Sequence, residues 1–347
     1  MNEKNLLYHT INDFVTCEGF HYKRIRLSYE LFGPPLSERK KVVLVCHALT
    51  GNSTVAGEKG WWNKLIGHDR LVSLNEYTVV GINIPGNGYD GEDNDGFDHF
   101  KHLTVRDIAR LFVQTLKAIG ISQLYVSIGG SLGGAISWEI ALSFPDFVHV
   151  IVPIATDWKS SDWVLAFNRV QQQILRNSSQ PVHDARMMAM MFYRTPESFS
   201  LRFNRSWNQE LGMANIESWL LHHGKKLENR FGLDAYLLMN HYLSSHDLSR
   251  GRGSFDEAVR QLRARVVMIG IDSDLFFQPA CNREAATVLQ RAGLDAVYRE
   301  ISSIHGHDGF LIEYEQLNRL LEDVFIETEM TVSPLGQAGT TVLTQHE

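Results

Sequence analysis

Residues 124–140 of this 347-residue chain read "LYVSIGGSLGGAISWEI", with four glycines placed around one serine, Ser131. An apolar, β-type run precedes the glycines and an amphipathic run follows them, so the serine lies between a predicted strand and a predicted helix. A glycine inside such elements costs about 0.5–1 kcal/mol, so four together indicate a backbone requirement. The spacing Gly129-x-Ser131-x-Gly133 in this context predicts a nucleophile elbow, a sharp turn that presents a reactive serine.

Strand and helix patterns alternate on both sides of this turn. Short apolar runs at 41–48 and 77–84 predict strands buried on both faces, and further strands are predicted at 124–128, 148–155, 264–271 and 296–301. Helical spacing predicts helices at 104–120, 132–144, 279–292 and 310–325, the first with Thr104 as its N-cap and Gly120 as its stop. This alternation indicates an α/β fold with a mostly parallel sheet and helices on both faces.

The alternation stops near Asp157, and the chain up to about residue 260 is rich in Met, Trp, Arg and Gln at helical spacing. We call residues 157–260 the lid insertion, because a helical segment placed there is predicted to cover the site. The core is then divided into a first part, 1–156, and a second part, 261–326. The last residues, 327–347, have no periodicity and are predicted to form a mobile tail.

Composition narrows the class of protein. The net charge of −7, from 40 acidic and 33 basic residues, argues against a nucleic-acid partner. Three widely spaced cysteines form neither a disulfide framework nor a CxxC metal motif. The first residues lack the apolar core of a secretion signal, and no run reaches the ~20 apolar residues of a membrane span. These features predict a cytoplasmic protein without a membrane partner.

A serine nucleophile needs a base and an orienting carboxylate, in the chain order Ser, acid, His for this type of turn. Asp272 and Asp274 follow the predicted strand 264–271, and His305 and His307 follow the strand 296–301. Parallel strands share their carboxyl edge, so both loops are expected on the same side of the sheet as Ser131. The pattern does not choose within either pair.

An oxyanion hole needs two backbone N–H donors. One is predicted to be Leu132, directly after the nucleophile, and the other Leu49, in "VCHALTGN" (45–52) after an early strand. His47 in the same stretch is predicted to shape the loop rather than to act as an acid or base. No acidic or cysteine partner completes a metal site around His305 and His307, so no metal is expected.

Nine stretches then resemble one family, the homoserine O-acetyltransferases of the α/β-hydrolase superfamily. They occur in the family's order over roughly residues 40–325: "CHALTGN", "GWWNKLIG", "LTVRDIARL", "GGSLGG", "ALSFPDFV", "ARMMAMMFYR", "SHDLSRGRGS", "DSDLFF" and "HGHDGFL". The resemblance implies an α/β-hydrolase fold with a helical lid. The resemblance also selects one residue from each of the two candidate pairs, the aspartates and the histidines. It implies a triad of Ser131, Asp274 and His307, which match the family's triad positions.

The same resemblance implies the substrates, acetyl-CoA and L-homoserine, with no permanently bound cofactor and a place in methionine biosynthesis. Arg186, in "ARMM", matches the arginine that pairs with the substrate carboxylate, and Asp308 matches the acid that receives its ammonium group. The alternatives are a solvated arginine on a lid helix and an aspartate that caps the final helix. The family also implies a homodimer formed through the lid helices.

Three stretches depart from the family pattern. Leu132 stands where methionine is usual, "RFNR" (202–205) replaces an arginine-phenylalanine-glycine-arginine run, and the loop at 83–98 does not match. Succinyl-CoA as donor and serine as acceptor therefore stay open. Two other classes also stay open: a carboxylesterase or thioesterase that uses water, and a catalytically silent binding protein on the same fold.

Overall fold

The predicted alternation produces one eight-stranded sheet, seen in a computed structural model that describes residues 5–91 and 96–326. The predicted tail, 327–347, lies outside the described residues. The strands of the sheet are β1 (Leu7–Val15), β2 (His21–Phe32), β3 (Lys41–Cys46), β4 (Tyr77–Ile82), β5 (Leu124–Gly130), β6 (Val148–Ile154), β7 (Arg265–Ile271) and β8 (Ala296–Ile301).

Their order across the sheet is β1-β2-β4-β3-β5-β6-β7-β8. The six strands from β4 to β8 in this order run parallel, and β2 and β1 are antiparallel at one edge. The predicted mostly parallel sheet and its six predicted strands are confirmed. The antiparallel strands β1 and β2 were not predicted, because polar residues interrupt both sequences and neither forms a continuous apolar run.

Helices pack on both faces of the sheet. They are α1 (Phe97–Phe100), α2 (Val105–Ala118), α3 (Leu132–Ser143), α4 (Asp162–Asn177), α5 (Pro181–Tyr193), α6 (Pro196–Phe203), α7 (Asn215–Glu228), α8 (Leu233–Ser245), α9 (Phe255–Val259), α10 (Pro279–Arg291), α11 (Tyr314–Leu320) and α12 (Glu322–Phe325). Buried side chains of α2, α3 and α10 belong to one hydrophobic cluster. Those of α11 and α12 belong to a second cluster on the other face of the sheet. Within the two described ranges, no helix combines the length and apolarity needed to cross a bilayer.

The two ends of α2 test the capping prediction. Thr104 is the N-cap, and its side chain accepts from the Asp107 N–H while Asp107 bonds back, which satisfies two N–H groups of the first turn. Gly120, with φ +92°, follows the helix directly after Ile119. Both predicted boundaries of α2 are therefore confirmed.

The single helix predicted at 310–325 is wrong. Residues Gly306–Leu311 form a 3-10 turn, and two short helices, α11 and α12, follow it. Glu313, just before α11, accepts a hydrogen bond from the Ser303 hydroxyl at 2.7 Å, which draws this part of the chain toward the end of β8. The periodic pattern is real, but the chain divides it into three segments, and the Glu313–Ser303 bond lies at the first of the two breaks.

Between β6 and β7 the chain forms α4 to α9, the helical region predicted as the lid insertion. Within it α5 packs against α4 and α7, and α4 packs against α8. A two-stranded ribbon, Trp207–Asn208 with Met213–Ala214, interrupts the helices where no strand was expected. The insertion leaves the core at the carboxyl end of β6, the sheet edge at which Ser131 lies.

Candidate active site

The turn that carries Ser131 has the geometry of a nucleophile elbow. Ser131 lies directly between β5 and α3, with φ 55° and ψ −123°. A non-glycine residue rarely adopts this positive φ, and such strain concentrates at functional sites. Its backbone N–H donates to the Ile154 carbonyl at the end of β6, at 2.8 Å, which holds the strained turn on the sheet.

The glycines at 129 and 133 allow the backbones to approach closely. A Cβ on Gly133 would lie 2.0 Å from the carbonyl oxygen of Cys46, and one on Gly129 would lie 2.4 Å from the carbonyl carbon of Gly133. Real Cβ atoms do not make such contacts, so no other residue fits either position without moving β3 or α3. This explains the glycines that flank Ser131.

The two predicted oxyanion donors lie on neighbouring segments. Leu132 is the first residue of α3, where backbone N–H groups have no partner within the helix and the helix dipole favours negative charge. The loop of residues 47–52, which contains Leu49, leaves β3 beside this turn. The start of this loop lies close to α3, since a Cβ on Gly133 would stand 2.9 Å from the His47 carbonyl oxygen.

His47 fixes the 47–52 loop from inside the protein. Its buried ring donates through Nδ1 to the Ala48 carbonyl at 2.8 Å and accepts at Nε2 from the Ile84 N–H at 3.0 Å. Burial lowers the pKa of His47 to about 4, so the ring is neutral at pH 7. The predicted loop-shaping role of His47 is confirmed.

The loop at 83–98, which departs from the family pattern, contacts the 47–52 loop and the residues after it. The Asn83 side chain accepts from the Ser53 N–H at 2.8 Å, and Asn87 donates to Asn83 at 3.1 Å. The Tyr89 hydroxyl lies 2.7 Å from the hydroxyl of Thr54. Residues 92–95 of this loop are outside the described ranges.

Asp274 and His307 form the pair expected of an acid and a base. His307 donates through Nδ1 to Asp274 Oδ2 at 2.8 Å, and the two side chains are only 6% and 0% exposed. Asp274 Oδ1 accepts from the backbone N–H groups of Phe276 and Phe277 at 2.7 and 2.9 Å. With Nδ1 protonated in this way, Nε2 is free to accept a proton.

The alternatives within each pair have other partners. Asp272 accepts from the Ser302 hydroxyl at 2.7 Å and from the Ser303 N–H at 2.9 Å, which joins the loops after β7 and β8. His305 lies 2.9 Å, Nδ1 to Oγ, from Ser198 on α6. Both therefore hold loops in place, and the structure selects Asp274 and His307 as the interacting pair.

Aromatic rings locate His307 relative to the elbow. Phe310 packs on Gly130, the residue before Ser131, with its ring 2.4 Å from where a Cβ on that glycine would stand, and its centroid lies 5.8 Å from that of His307. Tyr193 and Phe276 also lie within 5.5 Å of His307, centroid to centroid. Among the described residues, Ser131 Oγ and His307 Nε2 share no hydrogen bond. The proton transfer between Ser131 and His307 is therefore part of the functional proposal.

Of the two predicted amino-acid ligands, Asp308 is next to His307 in the chain, and Arg186 lies by the Tyr193 ring that borders His307. Arg186 on α5 has its guanidinium carbon 5.6 Å from the centroid of Tyr193, whose ring borders His307. No carboxylate in the described ranges lies within ion-pair distance of Arg186. Asp308 follows His307 inside the 3-10 turn, so it is not the cap of a helix.

Arg194, which the sequence did not single out, pairs with Asp308, Nε to Oδ2, at 3.1 Å. Burial raises the pKa of Asp308, while the positive charges of Arg186 and Arg194 lower it. The signal for Arg194 was its place at the end of "ARMMAMMFYR", one residue after Tyr193. Over the described residues, no group of three or more His, Cys, Asp or Glu side chains is arranged to hold a metal.

These features define an α/β-hydrolase-fold protein, and residues 41–280 match the alpha/beta hydrolase fold family. The chain is 35% identical to homoserine O-acetyltransferase of Thermus thermophilus, over 89% of this chain and 88% of that protein. The chain therefore belongs to the homoserine O-acetyltransferase family. Because this is a family of acyltransferases, the protein is an acyltransferase.

Solved structures agree with this fold. Homoserine O-acetyltransferase from Staphylococcus aureus aligns with TM-score 0.78 and 26% identity, covering 95% of this chain and 98% of that one. Esterase E22 aligns with TM-score 0.82 over 92% of this chain and 99% of its own, but at 18% identity. The esterase likeness concerns the fold alone.

Proposed function

We propose that the protein transfers the acetyl group of acetyl-CoA to the hydroxyl of L-homoserine, in the cytoplasm, as a step of methionine biosynthesis. An elbow serine with an Asp–His pair also suits a simple hydrolase. The observation that carries the proposal is that Arg186, by the Tyr193 ring, lies close enough to Asp308 to lower its pKa, and Asp308 adjoins His307. Together they offer opposite charges to a zwitterionic amino acid.

In the first step, Ser131 Oγ attacks the thioester carbonyl of acetyl-CoA while His307 Nε2 takes the hydroxyl proton. Asp274 stabilises the resulting imidazolium through the Nδ1 hydrogen bond. The N–H groups of Leu132 and Leu49 hold the tetrahedral oxyanion, and each such donor is typically worth ~2.7–4 kcal/mol. The C–S bond then breaks, CoA leaves as the thiol with the proton from His307, and an acetyl-serine remains.

In the second step, homoserine binds with its carboxylate on Arg186 and its ammonium on Asp308. His307 takes the proton of the homoserine hydroxyl, which attacks the acetyl-serine carbonyl. The second tetrahedral species collapses, Ser131 recovers its proton from His307, and O-acetylhomoserine leaves. Water would intercept the acetyl-enzyme, so the lid insertion and the rings of Tyr193 and Phe276 serve to exclude it.

The test of this function is the amino-acid dependence of thiol release. Purified protein receives acetyl-CoA or succinyl-CoA with homoserine, with serine or with neither. We expect fast release of CoA only with acetyl-CoA and homoserine, together with an ester product. Equal rates with and without an amino acid would favour the esterase or thioesterase instead, and no thiol release under any condition would favour a silent binding protein.

Replacing Arg186 by alanine is expected to raise the KM for homoserine by about 10–100-fold, since hydrogen bonds to charged groups contribute about 1.5–3 kcal/mol. Steady-state kinetics at saturating acetyl-CoA measures this. Arg169→Ala, which removes an exposed arginine from the lid helix α4, is the matched control and should leave that KM within about twofold. An unchanged KM in Arg186→Ala contradicts the carboxylate assignment.

We further propose a homodimer formed through the lid insertion. This region exposes large apolar side chains that a second copy would cover: Trp163, Val170, Met191, Leu201, Trp207 and Leu211. Light scattering should give twice the mass of one chain. Leu201→Glu should shift the mass toward one chain, whereas Leu7→Glu, at an exposed leucine of β1, should not; a monomeric wild type would exclude the dimer.

A further inference from the structure

The end of α5 meets the turn that carries the catalytic histidine. We call residues 304–308 the histidine turn. Arg194, the first residue after α5, places its Nε 3.1 Å from Asp308 Oδ2. The two side chains are only 12% and 18% exposed, so the pair is largely shielded from water and from salt.

Two residues of the segment after Arg194, Thr195 and Ser198, strengthen this junction. Thr195 donates its hydroxyl to the Ile304 carbonyl at 2.5 Å, and Ser198 Oγ lies 2.9 Å from Nδ1 of His305. The histidine turn is thus held at three of its five residues by one short segment, 194–198. Any displacement of that segment from the core would move Asp308 with it or break the ion pair.

Charge, rather than a directed hydrogen bond, holds Arg194 to Asp308. The Arg194 Nε–H is buried and lies within ion-pair distance of Oδ2, but it is not aligned as a hydrogen bond. The guanidinium carbon also lies 6.0 Å from the ring centroid of Trp219, so the cation borders this ring as well. Lysine at this position would retain the charge, whereas glutamine would not.

We propose that Arg194 is a positioning residue that keeps Asp308 ionised and oriented toward the amino-acid site. This inference rests on the proposed function, in which Asp308 receives the substrate ammonium. Arg194 contacts Oδ2, which leaves Oδ1 for the ammonium group. Arg194 therefore acts on the second step through Asp308, without contacting the substrate carboxylate that Arg186 holds.

The proposal has a consequence for pH dependence. Five ionisable groups around Asp308 interact with it electrostatically: Arg186, Tyr193, Arg194, Asp274 and His307. Burial raises the pKa of Asp308, and Arg194 is among the charges that lower it. Removing Arg194 should raise that pKa further. Ammonium binding requires the ionised acid. When the pH is lowered, kcat/KM for homoserine should therefore begin to fall at a higher pH in the variant than in wild type.

The experiment compares Arg194→Gln, Arg194→Lys and a control, Arg202→Gln. Arg202 lies over the same tryptophan ring, at 5.6 Å, but does not pair with Asp308. We expect Arg194→Gln to raise the KM for homoserine about tenfold or more and to shift the acid limb of kcat/KM upward. Arg194→Lys should recover most of this loss, and Arg202→Gln should match wild type. The thiol burst that reports acetylation of Ser131 should change far less than the homoserine KM.

A double-variant cycle separates this role from a merely structural one. If Arg194 acts through Asp308, Arg194→Gln should add little to the KM already raised by Asp308→Asn. Independent, multiplicative effects would overturn the inference, and so would an unchanged homoserine KM and acid limb in Arg194→Gln. Where thermal unfolding shows that Arg194→Gln does not fold, Arg194→Met, which keeps an apolar stem over Trp219, replaces it. Wild type without homoserine-dependent thiol release would instead refute the proposed function itself.

Discussion

Ser131→Ala is expected to lower kcat for CoA release by about 10⁴–10⁶-fold, because removing a nucleophile of this type abolishes the covalent route. The alanine retains the backbone N–H that bonds to Ile154, so the elbow should persist. Thiol release from acetyl-CoA with saturating homoserine measures the loss. Thermal unfolding of the variant should remain close to that of wild type.

The matched control for this substitution is Ser200→Ala. Ser200 is exposed on α6, and its hydroxyl bonds within its own helix, to the Pro196 carbonyl at 2.8 Å. Its removal should leave kcat within about twofold. A Ser131→Ala variant that keeps a tenth or more of the wild-type rate would show that acyl transfer does not pass through this serine.

Asp274→Asn is expected to lower kcat by about 10⁴-fold, although the side chain keeps its shape. Asp274 Oδ1 accepts two backbone N–H groups, from Phe276 and Phe277. The amide oxygen of asparagine must take that place, so its NH₂ group faces His307 and donates to Nδ1. The ring proton then moves to Nε2, where the base must accept a proton, and general-base catalysis is lost.

Kinetics of Asp274→Asn alongside Asp272→Asn test this argument. Asp272 is bonded to serines of the next loop and does not contact the imidazole, so its amide variant should lose less than about tenfold. Both variants need a melting curve to show that they fold. Similar losses in the two would mean that the His307–Asp274 hydrogen bond does not set the tautomer used in catalysis.

The elbow and the loops at the strand ends were predictable because local patterns determine them. Ser131 lies between an apolar run and a helical run. The glycines around it are required by close backbone contacts with residues a few positions away or on the adjacent strand. The choice of Asp274 over Asp272 depended instead on which carboxylate meets the N–H groups of Phe276 and Phe277. Loop geometry sets that contact, so residue spacing left it open, and the family resemblance supplied the answer.

Other features depend on contacts between distant parts of the chain. Arg194 pairs with Asp308, which lies more than a hundred residues later in the chain. Nothing near "FYR" in the sequence indicates that partner. The first break in the predicted final helix coincides with a bond between Glu313 and Ser303, a residue of the preceding loop. The strand β1 is half exposed at the sheet edge, so its apolar pattern is weak. Tertiary packing overrode or obscured local preference in each case.

Rapid-quench mass spectrometry of the peptide that contains Ser131 tests the central claim most directly. Protein mixed with acetyl-CoA alone should show that peptide acetylated in step with a burst of thiol, and added homoserine should remove the acetyl group at a rate no slower than turnover. An unmodified peptide throughout, while O-acetylhomoserine accumulates, would contradict an acyl-enzyme on Ser131.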